Sequence, residues 1–269
     1  MKKTIFVALA CTTVLMGTGF AVASGDGPPP GGRPLPTLTV NEKDTGRATN
    51  CRKTFSSGSG VDKFVWCFSN DGNITSLQVN SDFPNNVTAG YGDGFCLATN
   101  GTTAAVSTPA ANIGLKPPTY PAPASVVHAT VDGAWKIQQD FAQNTGQKTI
   151  TITMKVTNNT AAAKTNVTLA RLIDADMFNT PDDDLFVNAA GSASAHEPLY
   201  DRLVLGSPDH ATYHTYPMLV ALNESIAGCY NDTAYNRATL TGDGALALAL
   251  GLGTINAHAT KTARFVYQI

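Results

Sequence analysis

The sequence carries few charges and almost no excess of either sign. Charged residues make up 14% of the 269-residue chain, and the formal net charge is −2 at pH 7. Binding to nucleic acid draws on a concentrated positive surface that neutralises phosphates, and this composition supplies none. We therefore expect no nucleic-acid partner.

The sequence also lacks the fingerprints of several enzyme classes. It has no G-x-S-x-G nucleophile elbow, no P-loop and no G-x-G-x-x-G motif. It has no C-x-x-C pair and no Cys/His cluster of the kind that holds zinc. After the first residues, no stretch reaches the 18 apolar residues of a membrane-spanning helix. We therefore expect no membrane span and no cofactor that these motifs would hold.

The first 23 residues have the three parts of a secretory signal peptide. Lys2 and Lys3 are positive, residues 5–19 are mostly apolar, and the Ala-Val-Ala sequence at residues 21–23 provides small side chains for cleavage. We expect cleavage near Ala23 and a secreted or otherwise extracytoplasmic protein. Residues 24–37 are rich in proline and glycine, which predicts a flexible leader.

Four cysteines follow the predicted cleavage site, and an even number behind a signal peptide predicts two disulfide bonds. Four cysteines allow three connectivities. Cys67 and Cys96 lie in apolar, strand-like surroundings, whereas Cys51 and Cys229 lie in polar, loop-like surroundings. Pairing like with like predicts the bonds Cys67–Cys96 and Cys51–Cys229.

Alternating segments predict roughly ten or more strands and almost no helix. Residues 149–157 alternate apolar side chains with Thr and Lys, which predicts an antiparallel strand with one face in water. Asp132-Gly133 predicts a hairpin with a two-residue type I′ turn. Leu and Ala alternate after Gly244, which favours a strand over a helix. The predicted fold class is all-β, a sandwich of two antiparallel sheets.

We expect a single β-sandwich domain over residues 38–269. Residues 37–100 are too few for a secure core of their own and should add strands to the same sandwich. The alternative is a split into two domains near residues 101–123, a Pro- and Ala-rich segment that predicts a long surface crossing between sheets. Residues 217–225 predict a helical turn.

A cluster of carboxylates at a strand end is the best candidate for chemistry. Asp174 and Asp176 are two positions apart, so on a strand they share a face about 6–7 Å apart, and Asp182 follows within reach. Such oxygen ligands suit calcium, although the spacing is not that of an EF-hand. The alternatives are a carboxylate active site and a solvated strand end where Arg171 pairs with Asp174 or Asp176.

Other residues offer weaker candidates. A glycoside hydrolase needs two carboxylates across a sugar cleft, for which Asp176 with Glu197 or Asp201 is one pairing. His210 and His214 would share a metal only on a helix, since on a strand they lie about 13 Å apart. Seven tyrosines are available for stacking on sugars or, alternatively, for closing the core and lining loops: Tyr91, Tyr120, Tyr200, Tyr213, Tyr216, Tyr230 and Tyr235.

Several short motifs follow one another along residues 64–269. They are the Cys-x-Ser-x-Asp-Gly-Asn-Ile pattern at residues 67–74, Gly-Asp-Gly-Phe-Cys at 92–96, the Asp-Gly hairpin at 132–133, the strand at 149–158, the Arg-x-x-Asp-x-Asp pattern at 171–176 and the glycine-flanked run at 243–254. In content and order they resemble a group of uncharacterised secreted bacterial β-sandwich proteins. The resemblance implies the fold and the compartment, and it carries no catalytic signature.

Two functions follow as hypotheses. The first is a non-catalytic binding or surface-interaction protein for carbohydrate or another component of the cell envelope. The second is a saccharide-active enzyme that uses the carboxylates near Asp174 and Asp176. A deep cleft with convergent carboxylates and aromatic rings would favour the enzyme.

Overall fold

The computed structural model describes residues 37–39, 51–59, 63–79, 93–108, 112–144, 146–174, 185–196, 202–221, 225–227, 229, 237–242 and 244–269. These residues form strands and turns, with a single-turn 3-10 helix at Pro208–Ala211 as the one helix in the described ranges. No helix in this part of the chain has the length and hydropathy to cross a membrane.

The strands in chain order are β1 (Thr37–Thr39), β2 (Lys53–Ser57), β3 (Phe64–Phe68), β4 (Ile74–Val79), β5 (Gly94–Thr99), β6 (Thr102–Ser107), β7 (Asn112–Ile113), β8 (Ser125–Ala129), β9 (Trp135–Gln143), β10 (Thr149–Asn158), β11 (Lys164–Asp174), β12 (Leu185–Ala189), β13 (Ser192–His196), β14 (Arg202–Gly206), β15 (His214–Ala221), β16 (Ser225–Ala227), β17 (Thr239–Thr241), β18 (Gly244–Ile255) and β19 (Thr260–Gln268).

Two large antiparallel sheets share one core, which confirms the predicted all-β sandwich. One sheet has eight strands in the order β17-β12-β13-β14-β19-β10-β9-β8, and the other has six in the order β15-β18-β11-β5-β6-β7. Strands β2-β3-β4 form a third sheet, and β1 pairs with β16. Apolar side chains from all three sheets belong to one hydrophobic cluster.

Strand β10 shows why the eight-stranded sheet has one wet and one dry face. Its inward side chains are fully buried: Ile150, Ile152, Met154 and Val156. Burying one such side chain stabilises the folded state by about 1.5–3 kcal/mol. Its Thr and Lys side chains lie on the outer face, which is partly exposed. The alternation predicted for residues 149–157 is therefore confirmed.

Strands β11 and β18 are neighbouring inner strands of the six-stranded sheet, and most of their length is buried on both faces. Leu246, Leu248 and Leu250 join the main core, whereas the alanines between them join a second cluster on the opposite face. The β18 run is therefore a strand and not a helix, as predicted. The second cluster contains Cys96 and Cys229, whose bond anchors residue 229 over this alanine-rich face.

The three-stranded sheet packs its aromatic face on the common core. Trp66 and Phe68 are fully buried on β3. Phe68 stacks on Phe141 of β9 at 4.0 Å between ring centroids, and Trp66 Nε1 donates to Gln143 Oε1 at 3.0 Å. Strands β2–β4 therefore share a core with the two large sheets.

The hairpin at Asp132-Gly133 is where the sequence predicts it, but its turn type is different. The register pairs Ala129 with Lys136, so the connection is longer than two residues. Gly133 has φ 72°, whereas Asp132 is not among the described residues with positive φ, as a type I′ turn would require. Asp132 instead accepts hydrogen bonds from the Thr130 hydroxyl and the Ala134 N–H, which stabilise a wider turn.

Two further expectations are wrong in part. The crossing predicted at residues 101–123 begins only after Ile113, because Thr102–Ser107 and Asn112–Ile113 are strands of the six-stranded sheet. The helical turn predicted at residues 217–225 is absent from the described residues there, since residues 217–221 belong to β15 and pair with β18. Pairing with a neighbouring strand overrides local preference in both segments.

The structure has two disulfides, but not the predicted pairs. Cys51 bonds to Cys67 and Cys96 bonds to Cys229. The prediction of Cys67–Cys96 and Cys51–Cys229 is wrong because Cys96 on β5 faces the alanine-rich cluster together with Cys229, whereas Cys67 on β3 belongs to neither hydrophobic cluster. Two disulfides are typical of an oxidising, extracytoplasmic compartment.

Candidate functional site

The acidic cluster is only partly described by the structure. Asp174 ends β11 and is 4% exposed, while Asp176 and Asp182, the other calcium candidates, lie outside the described residues, as do Glu197 and Asp201. Among the described residues, no group of three His, Cys, Asp or Glu side chains could hold a metal ion. The calcium site and the saccharide-cleaving carboxylates thus stay predictions.

Arg171 pairs with a carboxylate far from it in sequence. The hypothesis that Arg171 pairs with Asp174 is wrong, because residues three apart on a strand point to opposite faces. The regular register of β11 with β18 places Arg171 opposite Leu248 and Asp174 opposite Ala245, which belong to different clusters. The Arg171 guanidinium instead forms an ion pair with Asp93, and both side chains are fully buried.

Asp93 and Arg171 form a buried polar network with Gln139 and Tyr267. Arg171 Nε donates to Tyr267 Oη at 3.0 Å, Nη1 donates to Gln139 Oε1 at 2.6 Å, and Nη2 donates to Asp93. Asp93 also accepts from the Tyr267 hydroxyl at 2.6 Å and from the Ile74 N–H. Both charges are thus compensated by hydrogen bonds inside the core.

The turn between β3 and β4 rests on the same network. Gln139 Nε2 and His128 Nε2 both contact the Asp71 carbonyl oxygen, at 3.3 and 3.1 Å, and Asn73 Nδ2 donates to Ser107 Oγ at 3.2 Å. Gly72 in this turn has φ 77°, and a Cβ there would collide with the Gln139 amide. The motif at residues 67–74, Asp93 and Arg171 therefore meet in one structural network with no accessible surface at its centre.

Burial dominates the electrostatics of this network. Burial raises the pKa of the Asp93 carboxyl, and the Arg171 charge with three hydrogen bonds offsets part of that. Burial also raises the pKa of the Tyr267 hydroxyl well above its usual value. Burial lowers the pKa of Arg171, but the Asp93 charge raises it and the net shift is upward. The network is a closed ion pair with a neutral tyrosine.

His128 should make folding sensitive to pH. It is fully buried, and burial lowers its pKa from the usual 6.5 despite the hydrogen bond that its ring donates to the Asp71 carbonyl. Below about pH 6.5 the unfolded chain therefore binds more protons than the folded protein does. The free energy of unfolding falls as the pH falls from the usual pKa of histidine to the lower pKa of His128 in the folded protein. Urea denaturation between about pH 7.5 and about pH 5 should show a smaller loss for His128→Gln than for wild type.

His196 sets the residual slope in that experiment. Burial and then the Arg202 charge lower its pKa too, so His128→Gln should flatten the profile without abolishing it. A double variant with His196→Gln provides the comparison. An unchanged slope in His128→Gln would contradict the assignment of the pH dependence to this side chain.

The remaining candidates from the sequence have structural partners or lie outside the described residues. His210 Nδ1 contacts the Ser207 carbonyl at 3.0 Å, and the His214 ring packs edge-on against Tyr216 at 4.4 Å. Tyr213 donates to the Thr262 carbonyl at 2.9 Å. The tyrosines outside the described residues are Tyr91, Tyr200, Tyr230 and Tyr235. Tyr120 is different, because it lines a groove.

That groove has a volume of about 500 Å³, within the range of about 300–1,000 Å³ that is usual for ligand sites. We call it the Arg52–Tyr120 groove. Two cations, one aromatic ring and three small or cyclic side chains line it: Arg52, Lys53, Tyr120, Pro121, Ala122 and Pro123. Tyr120 is 39% exposed, so part of its ring is open to solvent.

The wall that carries Tyr120 is held rigidly against β8. Thr119 and Val127 exchange both backbone hydrogen bonds at 2.8 Å. The Ser125 N–H donates to the Ala122 carbonyl at 3.1 Å. Pro121 and Pro123 restrict the backbone further, because each proline fixes its own φ angle. The Tyr120 ring is therefore presented by a segment that loses little entropy on binding.

The opposite wall is anchored by the first disulfide. Cys51 is bonded to Cys67, and the next residue, Arg52, donates its N–H to the Phe68 carbonyl at 2.8 Å. The Arg52 guanidinium carbon lies 3.5 Å from the centre of the Tyr120 ring, a cation–π contact that joins the two walls. Sequence reasoning included Tyr120 among stacking aromatics but missed Arg52, which lies 68 positions earlier in the chain.

Comparisons with known proteins bear on the fold. No protein-family model matches the chain, and no curated protein matches it significantly. The structure is similar to that of a bacterial glucoamylase complexed with acarbose, with a TM-score of 0.51 and 12% sequence identity. The match covers 87% of this chain and 34% of the glucoamylase, so the chain spans about a third of that protein.

Two further solved structures are more distant. A polysaccharide lyase matches with a TM-score of 0.39 and 12% identity, over 88% of this chain and 32% of the lyase. An α-galactosidase from Geobacillus stearothermophilus in complex with raffinose matches with a TM-score of 0.33 and 10% identity, over 80% of this chain and 40% of the enzyme.

Proposed function

We propose that this protein is a non-catalytic saccharide-binding β-sandwich that holds its ligand in the Arg52–Tyr120 groove. The observation that carries the proposal is the rigid groove itself, in which a partly exposed tyrosine ring stands beside two side chains that donate hydrogen bonds. Sugar rings present an apolar face and a rim of hydroxyl groups. An aromatic ring with flanking donors suits both.

The likeness of the fold to part of the glucoamylase supports a carbohydrate ligand. That protein was solved in complex with acarbose, and the matching region is about a third of its length. A domain of this architecture therefore occurs within a saccharide-binding protein. The signal peptide predicted for residues 1–23 would bring this chain to saccharides of the cell envelope or its surroundings.

The chemistry of the groove favours binding over cleavage. None of its described lining residues carries a carboxylate, whereas glycoside hydrolysis ordinarily uses two. Asp174, the one described member of the acidic cluster, does not line the groove and is buried. The enzymatic hypothesis therefore finds no support at this site.

Substitution of Tyr120 tests the proposal. On a glycan array and in calorimetric titration of the array hits, Tyr120→Ala should weaken binding about five-fold or more, because a central tyrosine is typically worth over 1 kcal/mol. Tyr120→Phe keeps the ring and should retain most of the affinity. Equal binding by Tyr120→Ala and wild type would place the ligand elsewhere.

Product analysis separates binding from catalysis. We expect an oligosaccharide that binds to keep its length during prolonged incubation with the protein, as seen by chromatography. Shortened products that disappear in an Asp174→Asn variant would restore the enzymatic hypothesis. Products that survive that substitution would point to carboxylates outside the described residues.

A further inference from the structure

We infer that the Arg52–Tyr120 groove selects anionic saccharides, whose carboxylate or sulfate group pairs with Arg52 and Lys53. The inference rests on the proposed function, since it names the chemical class of the ligand for the same groove. It follows from the charges that line the groove and from the lack of ion-pair partners for them among the described residues.

The two cations of the groove are not neutralised within the part of the chain that is described. Neither Arg52 nor Lys53 forms an ion pair with a described carboxylate. Three other described cations do pair with aspartates, in Lys155–Asp140, Arg171–Asp93 and Arg264–Asp209. Two lining cations without an ion-pair partner among the described residues raise the positive potential of the groove and attract an anion.

Arg52 is oriented before any ligand binds. Its guanidinium carbon lies 3.5 Å from the Tyr120 ring centre, so the ring holds the planar group in place. Its buried Nε atom has no hydrogen-bond partner among the described residues. A guanidinium presents a planar fork of donors that matches the two oxygens of a carboxylate or sulfate. An entering anion would therefore supply acceptors that the described residues do not.

Lys53 provides the second charge. Its Nζ atom lies 4.7 Å from the centre of the Phe55 ring, which limits where the flexible side chain can place its charge. Lys53 begins β2, directly after Arg52, so the pair is fixed to the same strand end. Because both charges are attached to a rigid strand end, little entropy is lost when they bind an anionic group. A neutral sugar would gain no such charge pairing.

The apolar part of the groove argues for a saccharide rather than a free ion. Tyr120, Pro121 and Pro123 form an apolar wall, and the volume of about 500 Å³ far exceeds that of a phosphate or sulfate ion. An inorganic anion would leave this wall exposed to water. An acidic sugar would cover the wall with its ring and bring its anionic group to the cations.

The test compares acidic and neutral forms of one oligosaccharide. We would titrate the protein with a galacturonic acid oligomer, its methyl ester, a sulfated oligosaccharide of the same length, and inorganic sulfate. The acid should bind about ten-fold or more tightly than its ester, because charge-assisted hydrogen bonds are roughly twice as strong as neutral ones. Its affinity should fall as NaCl rises from about 50 mM to about 500 mM.

Charge variants locate the effect. Arg52→Gln should weaken binding of the acid about ten-fold or more and leave the weak binding of the ester nearly unchanged. Lys53→Gln should show the same selectivity, and it keeps the test open if Arg52→Gln fails to fold. Lys136→Gln removes one charge from an exposed position on β9 outside the groove and should leave affinity unchanged.

Each outcome has a distinct meaning. Equal affinity for acid and ester, unaffected by Arg52→Gln, would overturn the inference and leave the proposed function standing. Binding of only the sulfated oligomer, lost in Arg52→Gln, would support the inference with sulfate as the anion. Binding of inorganic sulfate but of no saccharide would overturn both, and so would the absence of any binding.

Discussion

Removal of either partner of the buried Asp93–Arg171 pair will strongly destabilise the protein. Both side chains are fully buried, so Asp93→Asn leaves an uncompensated guanidinium in the core and Arg171→Met leaves an uncompensated carboxylate. Breaking a buried ion pair in this way typically lowers the free energy of unfolding by about 3–5 kcal/mol. Guanidinium denaturation followed by circular dichroism measures the loss.

A double variant distinguishes the pair from its surroundings. Asp93→Asn with Arg171→Met removes both charges together and should cost less than the two single changes added, because no lone charge stays buried. Asp140→Asn is the matched control, since Asp140 pairs with Lys155 on the partly exposed outer face of the sheet. Such a pair contributes about 0–1 kcal/mol. A loss below about 1 kcal/mol for Asp93→Asn would contradict the predicted role.

The second large effect concerns the Cys96–Cys229 disulfide. It links residues 133 positions apart, and in the chain-entropy model a loop of that length contributes about 5 kcal/mol to stability. Cys96→Ser with Cys229→Ser should therefore lower the free energy of unfolding by roughly that amount. Denaturant melts of the oxidised proteins, with m-values compared, provide the measurement.

The Cys51–Cys67 bond supplies the control for this prediction. It spans only 16 positions, so its removal should cost about 3 kcal/mol, less than that of the longer loop. Peptide mapping without reduction should recover both linked pairs. Equal losses for the two double variants, or a larger loss for the shorter loop, would show that chain entropy does not govern these bonds.

The pairing of the cysteines could not be predicted from their neighbours in sequence. Cys67 and Cys96 are both buried in strands, and this likeness suggested that they pair. The sheets decide otherwise: Cys67 lies on β3, whereas Cys96 faces the alanine-rich side of the six-stranded sheet together with Cys229. Cys229, whose surroundings in sequence are polar, is buried as well. A cysteine's partner therefore depends on which face of the fold it reaches, and its neighbours in sequence do not show that.

The groove was beyond prediction for the same reason. Tyr120 was one of seven tyrosines available for stacking and lies outside their concentration between residues 200 and 235, and nothing near Arg52 marks it as a ligand-binding residue. Their contact forms only because β2 and the segment before β8 pack beside each other in the fold. The proline-rich segment around Tyr120 was the one sequence feature that indicated this surface. The groove also needs Arg52 and Lys53 as its second wall.

The sequence by itself determined the layers and the faces of this protein. Side chains that alternate along β10 and β19 specify buried and exposed faces, because successive residues of a strand point to opposite sides. Only the tertiary structure decided which polar groups meet. Arg171 lies three residues from Asp174 yet bonds Asp93, since the strand turns the near carboxylate away and the packed sheets bring the distant one to it.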